Sequence, residues 1–156
     1  MKRTRMKRTR TIAHAGLLAL MTVATVATAP AVELSDLKGL EDIFGRYAPG
    51  GDCKRQPQVL VEQGGLTIER SGTTEKLAKV EFAASYNGDS YDGIMKVIFP
   101  YTNPTGDGYP IIMYFNWNEK PGALEIQGQD QGYQGGPPLT PNNLALVKGS
   151  PYARCK

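Results

Sequence analysis

The residues able to do chemistry are few, and the most telling one is missing. The only His of the 156-residue chain is His14, inside an N-terminal leader that reads as removable. Without it there is no Ser-His-Asp or Cys-His nucleophile, no His-ligated zinc and no imidazole acid–base catalyst. No Gly-x-Ser-x-Gly, phosphate-binding loop or dinucleotide fingerprint is present either. Carboxylates remain. Asp89 and Asp92 lie in the run Asn87-Gly88-Asp89-Ser90-Tyr91-Asp92-Gly93, and Asp107 lies in the next polar stretch. Brought to one sheet edge, they offer a glycosidase-like acid pair or oxygen ligands for Ca²⁺. A calcium loop wants acids at alternate positions, however, and Tyr91 stands where one is needed. Asp and Asn also favour such turns for backbone reasons alone. Glu125 is the remaining candidate acid.

Aromatic residues are the second candidate set. Tyr86, Tyr91, Tyr101, Tyr109, Tyr114 and Trp117 crowd one third of the chain. Alternation places Tyr86, Tyr101 and Trp117 in a core, whereas Tyr91, Tyr109 and Tyr133 suit exposed loop positions that anchor a partner or a sugar. The segment Ser85 to Tyr91, Ser-Tyr-Asn-Gly-Asp-Ser-Tyr, resembles the Ser-Gly-x-x-Tyr loop of periplasmic lysozyme inhibitors. The likeness covers these few residues only, with the Gly displaced. It implies an exported domain that blocks an envelope hydrolase, with Asp89, Ser90 and Tyr91 inserting.

The elements that must carry these loops read as strands. From Lys76 to Tyr86, from Gly93 to Tyr101 and from Pro110 to Asn118, apolar residues recur at every second position, as in half-buried strands. Both parities are apolar in 94–99 and 111–115, which predicts that both sheet faces are at least partly covered. Gln58–Glu62 and Leu66–Arg70 form a hairpin around Gln63-Gly64-Gly65. Lys120-Pro121-Gly122 suits a type II turn into Ala123–Gln127. Leu144–Lys148 suits a last strand, after a long Gln-, Gly- and Pro-rich loop from Gly128 to Asn143. Ser35 to Tyr47 reads as an amphipathic helix, with Leu37, Leu40, Ile43, Phe44 and Tyr47 on one stripe. The expected fold is α+β and mainly β. An N-terminal amphipathic helix precedes a roughly seven-stranded antiparallel meander, as a curved sheet or small barrel closed by one disulfide.

Residues 1–31 form the expected signal peptide. Six basic residues lead an apolar run from Ala15 to Ala29, and Ala29-Pro30-Ala31 provides small residues for cleavage after Ala31. The run is shorter than the ~20 residues a spanning helix needs. The repeat of Met1–Arg5 in Met6–Arg10 marks Met6 as an alternative start. Six of the 18 Lys and Arg lie in the leader and none of the 15 acids does. The remainder thus carries 12 against 15, a net charge near −3, and no basic patch for nucleic acid. Residues 32–156 suit one exported domain. Cys53 and Cys155 are the only cysteines, and an oxidising compartment favours their pairing. The leading functional expectation is a non-catalytic periplasmic or secreted binding or inhibitory module. Its partner is a protein or glycan of the cell envelope, with no cofactor, no metal and no membrane span after processing. Its contacts are Asp89, Ser90, Tyr91, Asp92, Asp107, Tyr109 and Tyr133. The alternatives are a structural envelope protein and a His-free glycan enzyme built on the carboxylates.

Overall fold

The computed structural model describes residues 31–83, 93–101, 108–128 and 139–156. Its framework is a curled antiparallel half-barrel of ten strands, in the order β1-β6-β7-β8-β9-β10-β2-β3-β4-β5. The strands are β1 (Val32–Leu34), β2 (Gly45–Pro49), β3 (Gln58–Glu62), β4 (Gly65–Arg70), β5 (Thr73–Leu77), β6 (Val80–Ala83), β7 (Lys96–Phe99), β8 (Ile111–Phe115), β9 (Ala123–Gly128) and β10 (Tyr152–Arg154). One α-helix, α1 (Pro141–Gly149), lies against β9. Among the described residues no helix is long and apolar enough to cross a membrane.

The anticipated helix over Ser35–Tyr47 does not form. The segment instead holds a single 3₁₀ turn at Glu41–Ile43 and strand β2. Gly39 and Gly45 adopt φ of +91° and +139°, values outside any right-handed helix. The Asp36 and Glu41 carboxylates accept the backbone N–H groups of Lys38 and Gly39, local bonds that compete with a helical ladder. Leu37 donates its N–H to the Gln63 carbonyl of the β3–β4 turn. The apolar stripe still does its work: Leu37, Leu40, Ile43 and Tyr47 are all buried.

A second correction concerns the C-terminal region. Leu144–Lys148 lies in helix α1, not in a strand, because Thr140 caps it and Pro141 fills the first turn. The Thr140 Oγ1 accepts the Asn143 N–H at 3.2 Å, and Pro costs nothing at a position whose N–H is orphaned anyway. The closing strand is β10, unanticipated, which inserts between β9 and β2. The long strand expected from Lys76 is interrupted: β5 pairs with β4, whereas β6 pairs with β1 and β7. Ala78 and Lys79 therefore carry the chain from one arm of the half-barrel to the other. With β1 and β2 also unforeseen, the count among the described residues is ten strands against the seven expected.

Other expectations hold. The β3–β4 hairpin turns where the glycines are, and Ala123 N–H bonds to the Lys120 carbonyl across the Pro121-Gly122 turn, with Gly122 at φ +77°. Cys53 and Cys155 are joined across 102 residues of sequence. Both sheet faces bury apolar residues over β6–β8. The concave face gathers Tyr47, Val59, Ile68, Ile98, Met113, Phe115, Ile126, Leu146 and Tyr152 into the main core. Ala83, Val97, Phe99, Ile112 and Tyr114 form a smaller cluster on the opposite parity, with Tyr109 and Trp117 packed against it.

Candidate ligand-binding site

Strand β4 alternates Leu66, Ile68 and Arg70 toward the concave face. The first two are buried core; the third puts a guanidinium at the mouth of the half-barrel. The β4–β5 hairpin turns at Ser71-Gly72 and pairs Arg70 with Thr73 and Ile68 with Glu75. Cross-strand partners share a face, so Glu75 stands one diagonal step from Arg70. Tyr101 arrives from the other arm, just beyond β7, with its ring on the main core.

These three side chains close a triangle. Arg70 Nη1 donates to Glu75 Oε2 at 2.8 Å, Arg70 Nη2 donates to the Tyr101 hydroxyl at 3.3 Å, and that hydroxyl donates to the same Glu75 oxygen at 3.2 Å. The Arg70 side chain is only 9% exposed and Glu75 is 37% exposed. Burial pushes the Arg70 guanidinium down, but its bonds to Glu75 and Tyr101 more than offset this and hold its pKa above the ordinary value. Burial has the opposite effect on the Tyr101 phenol, whose pKa it raises. The Arg70 Nε is buried without a partner. A buried guanidinium held by one carboxylate and one phenol is fixed in position, since releasing it strands a charge in a poorly hydrated place.

Two adjoining cavities open around this triangle. One, of about 310 Å³, is lined by Arg70, Glu75, Tyr101, Pro110, Thr140, Asn142 and Asn143. The other, of about 370 Å³, is lined by Gln56, Pro57, Arg70, Ser71, Thr73, Asn142 and Ala145. Each sits at the small end of the ~300–1,000 Å³ typical of ligand pockets. Helix α1 forms the shared wall, because its first turn presents Asn142 to both. Among the described lining residues Glu75 is the one acid, and its Oε2 is already engaged by Arg70 and Tyr101.

The residues singled out from sequence fall elsewhere. Asp89, Ser90, Tyr91, Asp92, Asp107 and Tyr133 lie outside the described residues, as does Tyr86. Their attachment points differ: Ala83 and Lys96 stand at the sheet end holding Phe115, whereas Phe99, Ile111 and Gly128 stand at the opposite end with Tyr101. Tyr109 is half-buried. Its ring stacks on Phe99 at 3.9 Å, and its hydroxyl donates to the Glu81 carboxylate. Burial and that bond push its pKa up to about 12. Trp117 leans on Tyr114 with ring centroids 5.2 Å apart. Glu125, opposite Tyr114 across β8 and β9, has its pKa raised by partial burial. Among the described residues no three His, Cys, Asp or Glu side chains gather as a metal site.

Sequence reasoning missed Arg70, Glu75, Thr140, Asn142 and Asn143. The legible signal was Arg70, a charge on the inward parity of a strand whose other inward residues are Leu66 and Ile68. The helix start was legible too, as Thr140-Pro141, a cap followed by Pro. No protein-family model matches the chain, and no curated protein or solved structure is significantly similar to it.

Proposed function

We propose that this protein is a non-catalytic, exported binding module whose ligand seats at the mouth formed by β4, β5, Tyr101 and the first turn of α1. Residues 1–31 serve as its signal peptide, and it acts in the periplasm or outside the cell. The observation that carries the reading is Arg70: a side chain 9% exposed, held between both arms of the sheet and shared by the linings of two adjoining cavities. A buried charge is costly to maintain for stability alone. The Cys53–Cys155 bridge suits an oxidising compartment. Blocking an envelope hydrolase is one form such a module takes. From sequence alone, Asp89, Ser90, Tyr91, Asp92, Asp107 and Tyr133 are proposed as further contacts.

The test is capture on the immobilised, disulfide-closed protein, using envelope extract and lysozyme-type hydrolases, with retained molecules identified by mass spectrometry. One saturable partner, released by Asn142→Ala or by the triple change Asp89→Ala, Tyr91→Ala, Asp107→Ala, is the expected result. Retention indifferent to both variants sinks the site.

A further inference from the structure

The chemistry of the two cavities identifies a ligand class, an inference that rests on the binding-module reading above. Among the described residues, six of the twelve that line the two cavities are polar yet uncharged. Gln56, Asn142 and Asn143 each offer a planar amide that donates and accepts at once, and Ser71, Thr73 and Thr140 each offer a hydroxyl that does the same. The two formal charges among the described lining residues, Arg70 and Glu75, already neutralise each other at 2.8 Å. Among the described residues a charged ligand group entering here meets no uncompensated opposite charge to offset the loss of its water. An apolar ligand, in turn, strands the amides and hydroxyls without partners. Pro57, Pro110 and the Tyr101 ring add small nonpolar facets among the polar groups.

We infer that the paired cavities take an uncharged, polyhydroxylated chain: a neutral oligosaccharide spanning at least two sugar units. Sugar hydroxyls are donors and acceptors in the same way as the amides facing them, and the C–H faces of a pyranose match proline and tyrosine rings. The division into two spaces of about 310 and 370 Å³, meeting at Arg70 and Asn142, favours a linear ligand laid across that junction over a compact one. Arg70, Glu75 and Tyr101 are fixed by their own triangle before a ligand arrives, so little ordering is left to be done on binding.

Isothermal titration of the disulfide-closed protein tests this with chitotetraose, cellotetraose and maltotetraose, their monosaccharides, and tetragalacturonate as an anionic control of equal length. Saturable binding of at least one neutral tetramer is expected, about tenfold or more tighter than its monosaccharide. Asn142 is exposed at the start of α1, so Asn142→Ala leaves the fold intact; with one or two hydrogen bonds lost, it weakens that binding about tenfold. Tighter binding of tetragalacturonate than of every neutral tetramer overturns the inference, as does an affinity unchanged in the variant. If no neutral tetramer binds, yet Asn142→Ala still releases a captured protein partner, the ligand class is wrong and the binding site stands. If the variant alters neither sugar binding nor capture, both readings fall.

Discussion

Replacing Asn116 will separate backbone strain from hydrogen bonding at the point where four segments meet. Asn116 is 2% exposed and left-handed, with φ +54°. Its Nδ2 donates to the Asp42 carboxylate and to the Ile94 carbonyl, both at 3.0 Å, and its Oδ1 accepts the Gly122 N–H at 3.0 Å. Those three bonds tie the end of β8 to the 3₁₀ turn, to the approach to β7 and to the β8–β9 turn. At ~1 kcal/mol for each bond, and ~1 kcal/mol for forcing a residue with no helpful side chain into the left-handed region, Asn116→Ala costs about 4 kcal/mol. Asn116→Gly loses the same bonds but adopts that φ freely, so its cost is about 3 kcal/mol. Asn116→Asp keeps an acceptor for Gly122 but turns a carboxylate toward Asp42 and the Ile94 carbonyl. The introduced carboxyl is therefore harder to ionise in the folded state than the ~3.9 of an unfolded Asp. Stability is retained below that value and falls as pH rises through it, so Asn116→Asp is more damaging at pH 7 than at pH 4. Urea unfolding of the oxidised protein, followed by Trp117 fluorescence, reads all three. Equal costs for Ala and Gly refute the strain argument. A loss below about 1 kcal/mol in Asn116→Ala refutes the hydrogen-bond argument, since buried partners left alone are expensive.

Gly65 has φ +119°, and a Cβ there falls 2.2 Å from the Leu77 carbonyl oxygen, whereas one at Gly64 meets nothing within 4 Å. Gly65→Ala should therefore cost roughly 3 kcal/mol or more and Gly64→Ala less than about 0.5 kcal/mol, by denaturant midpoints; similar values for the two would show the clash is relieved freely. Replacing both Cys53 and Cys155 by Ala opens a loop of 102 residues' separation. It should remove ~4–5 kcal/mol on the chain-entropy account, and an unchanged urea midpoint would refute it. The Tyr109 phenol, held at about 12 by burial and by Glu81, stays protonated while an unfolded Tyr ionises near ~10. Its contribution to stability is whole below pH 10 and declines as pH rises from 10 to 12. Tyr109→Phe should flatten that alkaline decline in urea titrations at pH 9 to 11, and identical slopes in the two proteins would exclude the mechanism.

Much of this architecture follows from local pattern. Period-two alternation marks β3, β4, β7, β8 and β9 because successive side chains of a strand face opposite ways. Gly64-Gly65 and Pro121-Gly122 place two turns because few residues besides Gly tolerate positive φ. A lone pair of cysteines admits one intramolecular bridge, and the single His, His14, leaves no imidazole chemistry to residues 32–156. Burial was legible at Leu37, Leu40, Ile43 and Tyr47 even though their conformation was not, since three- and four-residue spacing is satisfied by a winding loop as well as by a helix. The helical state of 141–149 lost to a strand reading because Leu144 and Leu146 also fit alternation; the deciding cap, Thr140 with Pro141, is a backbone signal and not an apolar one.

What only the tertiary structure decided is which segments meet. Strand β10 lies between β9 and β2, the latter about a hundred residues earlier in the chain, because pairing depends on closure of the curled sheet and leaves no mark in a local window. Ala78 and Lys79 break an apparently continuous strand because the chain must cross between arms there. Arg70, Glu75, Tyr101 and Asn142 come from a hairpin, a strand end and a helix start. Their assembly depends on the curvature that brings β4 and β5 opposite β7 and beneath α1. Each residue type was visible in the sequence, but the cavity belongs to the curl of the sheet.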